Sequence, residues 1–276
     1  MFGWGKKKII DVTFFDEEAD KPFARSNVPI EQLPKSFEAH TTLHLGADDW
    51  QVVIAIPMTS EEFAVTGRLH LTLRRQRIGQ VDPRKLLFSL PTISNELAPM
   101  EEGTTKLGRN VLEMHEDDWR QIEFLSRRRQ PEIEATLAAI RTIYSDHRVE
   151  SGAFKEIHVR KGLAEPIDEH TVDFASVNGL FNGDAAPYDG LSFAGVAGTV
   201  LGGFAWRIAE GLDLYGRRRG TTVTELGLFL HGSPDGATTF MKSISRLADT
   251  HTLWLVDWCR ALKVPEGETA FVDYLK

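Results

Sequence analysis

The sequence predicts a mixed α+β protein, a β-rich N-terminal region followed by two strand-helix-strand units. Apolar and polar residues alternate through much of residues 37–90, the pattern of strands with one buried face. Beyond Pro131, the residues Ile133, Leu137, Ile140 and Ile143 recur at helical spacing. Strand, helix and strand then follow one another a second time toward the C-terminus. With 276 residues and a hydrophobic content of 42%, the chain can fill a core without help from metals or disulfides.

Residues 1–36 read as a lead-in with one short strand. The apolar run from Ile9 to Phe15 is followed by the acidic cluster Asp16, Glu17, Glu18 and Asp20, and by prolines at 22, 29 and 34. The start of the chain is not a secretory signal, since Lys6, Lys7 and Lys8 follow a very short aromatic stretch and no apolar run comes after them. Phe2 and Trp4 with those lysines resemble an interfacial anchor, but are too few to hold a membrane alone.

Residues 37–105 form the β-rich region. His40, Thr42 and His44 alternate with Thr41, Leu43 and Leu45; Val52 to Ile56 is apolar; Leu69, Leu71 and Leu73 alternate with His70, Thr72 and Arg74. Residues 90–107 carry Pro91, Asn95, Pro99 and Gly103 and read as a connection.

Residues 106–276 form the α+β region. A strand pair is expected at 111–114 and 119–125, joined by His115, Glu116, Asp117 and Asp118. A helix over 131–147 and a strand over 153–159 follow; strand 223–230, helix 238–247 and strand 253–259 repeat the order. Two such units can assemble as a ferredoxin-like antiparallel sheet, here with a large insertion that would include a helix over 203–214. Residues 190–206 carry no charge, yet they are too short and too rich in glycine for a membrane span of about 20 apolar residues. A buried helix or loop is the expectation there.

Composition narrows the function classes. A net charge of −8 speaks against a protein that coats nucleic acid, where Lys and Arg neutralise phosphates. The single cysteine, Cys259, has no partner for an internal bridge, which points to a reducing cytoplasm. No Cys-x-x-Cys or His-Glu-x-x-His occurs, and His40 and His44 on one strand would lie about 13 Å apart, too far to share an ion. No metal or cofactor is expected. The glycine-rich run 195–203 lacks the Gly-Lys-Ser/Thr ending of a phosphate loop, so close backbone packing is its expected use.

The best catalytic candidates are His231, Ser233 and Asp235, which follow a predicted strand and open a helix, where ligands gather in open α/β sheets. His231 would serve as base and Ser233 as nucleophile or hydroxyl donor. The Gly-x-Ser-x-Gly elbow is absent, because His231 and Asp235 stand where its glycines belong. Ser233 as N-cap with Pro234 at the first helical position explains the same residues structurally, but leaves His231 without a role.

Three arginine clusters occur: Arg74, Arg75 and Arg77; Arg127, Arg128 and Arg129; Arg217, Arg218 and Arg219. If they converge, Arg127, Arg128, Arg217 and Arg218 would bind a phosphate or carboxylate; if scattered, they are solvated element ends. The acidic pairs Asp48 with Asp49 and Asp117 with Asp118 read as turn residues ahead of the core tryptophans Trp50 and Trp119, and the shared Asp-Asp-Trp is weak evidence of a repeat. Asp257, flanked by apolar neighbours on its strand, needs a basic partner or a raised pKa.

Two functions compete. One is a cytoplasmic binding or interaction protein without catalysis, with a protein partner or a second copy as further occupants. The other is a small hydrolase or transferase for an anionic ligand, which requires His231 in a concave pocket with an arginine from another segment in reach.

Overall fold

The computed structural model describes residues 8–38, 40–46, 48–76, 86–162, 166–167, 172–181, 185–232 and 238–275. The chain divides into two compact units, the first of Met1–Gln80 with Gly195–Ala197, the second of Val81–Ala194 with Gly198–Lys276.

In unit 1, β1 (Ile9–Asp16) turns back as β2 (Lys21–Pro29); β3 (Thr42–Leu45) and β4 (Asp48–Ile56) form a second hairpin; α1 (Ser60–Thr66) leads into β5 (Arg68–Arg75). The five strands lie in the order β2-β1-β5-β4-β3, with β1 and β5 parallel and the other pairs antiparallel. Ile10, Val12 and Phe14 of β1 share the core with Leu69, Leu71 and Leu73 of β5, and Phe63 of α1 joins them. Period-two alternation on neighbouring strands therefore builds one apolar face. The lead-in holds two strands where the sequence suggests one. The acidic cluster is the hairpin turn, with Asp16 Oδ1 accepting from the Glu18 N–H at 2.9 Å. β2 escapes a pattern reading because it is an edge strand, exposed along most of its length and carrying prolines near both ends.

α1 begins with a capping box in which Thr59 accepts from the Glu62 N–H and Glu62 accepts from the Thr59 N–H. It stops at Gly67, whose φ of 68° suits a residue without Cβ. Thr59→Ala should cost about 1 kcal/mol, read as amide hydrogen exchange in α1 faster by about fivefold.

Unit 2 contains β6 (Thr92–Ser94), β7 (Val111–Met114), β8 (Ile122–Ser126), α2 (Gln130–Asp146), β9 (His158–Arg160), α3 (Phe174–Phe181), β10 (Ala186–Pro187) and β11 (Gly190–Phe193). They are followed by β12 (Gly203–Ala209), β13 (Leu212–Arg219), β14 (Thr222–Leu230), α4 (Thr238–Thr250), β15 (Leu253–Asp257), β16 (Leu262–Lys263) and α5 (Glu268–Tyr274). A seven-stranded antiparallel sheet runs β10-β12-β13-β14-β8-β15-β16, and two small parallel pairs, β11-β7 and β6-β9, complete the unit.

The mixed α+β class holds, but this sheet is not a simple ferredoxin-like arrangement. β14, α4 and β15 do form a split unit, with β8 inserted between the two strands. The other expected unit does not close, because β8 lies in the large sheet while β9 pairs with β6. Nor does the expected strand pair form: β7 pairs with β11, and residues 116–118 make a short 3-10 turn. Asp48 and Asp49 begin a strand, so the two Asp-Asp-Trp sequences adopt different local structures.

The expected helix over 203–214 is instead the β12-β13 hairpin. Phe204, Trp206 and Ile208 alternate along one strand, Leu212 and Leu214 along the next, and Gly211 turns between them at a φ of 77°. Residues 190–206 belong to strands and turns, and among the described residues no helix is long and apolar enough to cross a membrane.

Each face of the sheet is covered. Val177 and Phe181 of α3, Met241, Ile244 and Leu247 of α4, and Phe271 of α5 bury one face with Phe124 and Leu255. Ile133, Leu137 and Ile140 of α2 bury the other with Leu125 and Val256. Adjacent residues of β8 and β15 thus point to opposite cores, which is why these strands read as continuous apolar runs.

Candidate functional site

The β13-β14 hairpin carries a cleft at each end, and the two differ in chemistry. At one end Asp213, fully buried, lies opposite Arg207 on β12. Its Oδ2 is 2.8 Å from His231 Nε2 and its Oδ1 accepts from the Tyr188 hydroxyl at 2.9 Å. Arg207 Nη2 donates to the same hydroxyl at 2.6 Å, and its guanidinium sits 5.3 Å from the Tyr188 ring. Burial first, then the Asp213 carboxylate, raises the Tyr188 pKa, so the phenol stays a neutral donor.

His231 directly follows β14, where its N–H donates to the Gly211 carbonyl at 2.9 Å. Its side chain is 39% exposed and lines a cleft of about 530 Å³ with Arg207, Ala209, Glu210 and Gly211. A buried carboxylate on one ring nitrogen fixes the imidazole plane and leaves the other nitrogen for the cleft. That arrangement suits proton transfer, with a guanidinium nearby for an anion.

At the other end, Arg217, Arg218 and Arg219 line a cleft of about 380 Å³ with Leu201, Gly202, Gly220 and Thr224. Arg217 makes a bidentate pair with Glu225 at 2.8 and 2.5 Å. Arg218 lies over the Phe174 ring at 4.5 Å and donates to the Gly220 carbonyl at 3.0 Å. Among the described residues no carboxylate pairs with Arg218 or Arg219.

The other arginine clusters are differently employed. Arg74 pairs with Glu17 and Arg75 with Asp48, while Arg77 lies outside the described residues. Arg127 bridges Asp249 at 3.0 Å and Glu266 at 2.9 Å, with its guanidinium over Trp254. Arg128, in the same turn, donates its N–H to Ser126 Oγ at 3.4 Å, and Arg129 pairs with Glu132 at 3.3 Å. Arg127 and Arg128 do not line either hairpin cleft, and His231 and Arg217 to Arg219 lie at opposite ends of the hairpin. Ser233 and Asp235 lie outside the described residues.

Sequence reasoning missed Arg207, Asp213 and Tyr188. Their signal was the alternation on either side of Glu210 and Gly211, which as a hairpin sets Arg207 directly across from Asp213. Asp257 is buried and paired with Tyr274 Oη at 2.8 Å and Arg260 Nε at 3.5 Å. Trp50 and Trp119 are core. His44 pairs with Asp49, and no cluster of three or more metal-ligating side chains exists among the described residues.

Burial, then the Asp257 charge, pushes the Cys259 thiol up to about 12. The native thiol should therefore react with maleimide at pH 8 on the order of a thousandfold more slowly than in denaturing urea. Equal rates would show that the thiol is not held in this environment.

Fold and sites together define a two-unit α+β protein with two clefts on one hairpin, each lined in part by charged side chains. Compared with known proteins, the chain matches no family model, no curated protein and no solved structure.

Proposed function

We propose that the protein binds a small phosphorylated or carboxylated ligand in the Arg217–Arg219 cleft without transforming it. The carrying observation is that Arg218 and Arg219 face this cleft with no carboxylate partner among the described residues, whereas Arg74, Arg75, Arg127, Arg129 and Arg217 each have one. Arg217, pinned by Glu225, gives the cleft a rigid wall. A small anion suits two guanidiniums on a chain of net charge −8 better than a nucleic acid does. A reducing cytoplasm fits a chain with a single cysteine.

Titration calorimetry with inorganic phosphate, citrate and tripolyphosphate tests the proposal. At least one should bind, and Arg218→Ala with Arg219→Ala should weaken it by tenfold or more, about 1.5–3 kcal/mol for lost hydrogen bonds between charged groups. No binding of any of the three, or binding untouched by the double variant, would overturn it.

The His231–Asp213 pair supports a second reading, hydrolysis or transfer on an anionic substrate held by Arg207. It expects turnover of p-nitrophenyl acetate or phosphate that is lost in His231→Gln and depressed in Asp213→Asn, since Asp213 orients the imidazole.

A further inference from the structure

Arg120 and Arg160 are both almost fully buried, at 6% and 5% exposure, in a polar cluster inside unit 2. Among the described residues Glu123 is the one carboxylate that hydrogen-bonds to them, and both its oxygens are taken, Oε2 by Arg120 Nε at 2.6 Å and Oε1 by Trp258 Nε1 at 2.7 Å. Arg160 is held by neutral acceptors: Thr92 Oγ1 and Gln121 Oε1 at 3.0 Å each, and the Arg120 carbonyl at 2.9 Å. Among the described residues these two guanidiniums thus have one carboxylate in hydrogen-bond contact, which leaves one positive charge there without a counter-ion in contact.

Deprotonation does not remove that charge. Burial brings Arg160 down to about 10, which still leaves it charged at neutral pH. An unpaired buried charge is costly, and proteins meet that cost with a partner ion.

The place for the ion is present. Arg120, Glu123, Arg160 and Trp258, all buried, line a cavity of about 20 Å³ together with Ser94, Lys161 and Glu132, whose carboxylate pairs with Arg129 at 3.3 Å. Neither terminal nitrogen of Arg120 donates a hydrogen bond among the described residues, and each keeps some contact with solvent. Arg120 also has a φ of 59°, a conformation costly for a residue with Cβ, and backbone strain of this kind clusters at ligand sites. A cavity of about 20 Å³ suits a small ion better than a phosphate or a free organic acid. From this geometry we infer that the Arg120–Arg160 cavity is a binding site for a monoatomic anion, chloride under ordinary conditions.

Thermal unfolding of the full chain should be followed as chloride replaces gluconate at constant ionic strength, gluconate being too large to enter. Chloride, and bromide likewise, should raise Tm by about 2–5 °C between low millimolar and a few hundred millimolar. Arg160→Met removes the unpaired charge and should abolish the rise. Should that variant fail to fold, chloride-35 NMR of the wild-type chain still decides, with line broadening that bromide competes away. Identical Tm in chloride and gluconate together with no broadening, or a rise that persists undiminished in folded Arg160→Met, would overturn the assignment.

Discussion

Glu123→Ala is expected to destabilise unit 2 by about 3–5 kcal/mol, because removing one partner of a buried ion pair leaves the other charge uncompensated in a poor solvent. Glu123 is 4% exposed and its carboxylate holds Arg120 Nε and Trp258 Nε1 together. Trp258 in turn packs with Leu125, Val256 and the α2 residues Ile133, Leu137 and Ile140, so the loss reaches the α2 side of the sheet. Glu123→Gln separates charge from shape: it keeps the volume but leaves two buried arginines with no carboxylate in hydrogen-bond contact among the described residues. Most of the cost should remain in it. Urea unfolding measures both, and a loss under about 1 kcal/mol in Glu123→Ala, the level of an exposed pair, would show that the cluster is solvated.

Gly227→Ala should cost a similar amount, about 3–5 kcal/mol, by combining overpacking with a lost buried hydrogen bond. A Cβ at residue 227 would come within 2.7 Å of the Ile122 carbonyl and 2.8 Å of the Tyr215 ring and hydroxyl. Tyr215 lies across the glycine so that its hydroxyl can accept from the Arg120 N–H at 2.8 Å. The neighbouring Ile122 carbonyl belongs to a paired strand and cannot withdraw, so Tyr215 must move. Pairing the variant with Tyr215→Leu tests the cause: the second change should recover part of the loss, as it clears the space and forfeits a bond already broken. If Gly227→Ala alone is neutral, the close approach is not a constraint on the sheet.

Much of the chain was legible because local and tertiary preferences agree there. α2 announces itself by Pro131 and by Ile133, Leu137, Ile140 and Ile143, and the structure places its helix over Gln130–Asp146 with these residues buried. β14, α4 and β15 were legible for the same reason. The β12-β13 hairpin was not, since Phe204, Trp206 and Ile208 beside several glycines can be read at either period. That misreading hid Arg207 and Asp213 inside a supposed helix, where they could not face each other.

For the candidate sites, His231 was singled out because the start of a helix did not need it, and the structure supplies the reason in a buried carboxylate 2.8 Å away. The arginine clusters look alike as tripeptides. What distinguishes them is whether a carboxylate lies within reach, as Glu225 does for Arg217 and Asp249 for Arg127, the latter from far along the chain.

By itself the sequence determined the mixed α+β class, since periodicity and burial of apolar faces are local properties that survive in any arrangement of the elements. Strand order, the pairing of β7 with β11, and the placing of β8 between β14 and β15 were decided only in three dimensions. They depend on which apolar faces cover one another, and many orders satisfy the same pattern. The two hairpin clefts and the neutral acceptors around Arg160 were settled at that level too, because electrostatic compensation is a matter of distance in space and not of position along the chain.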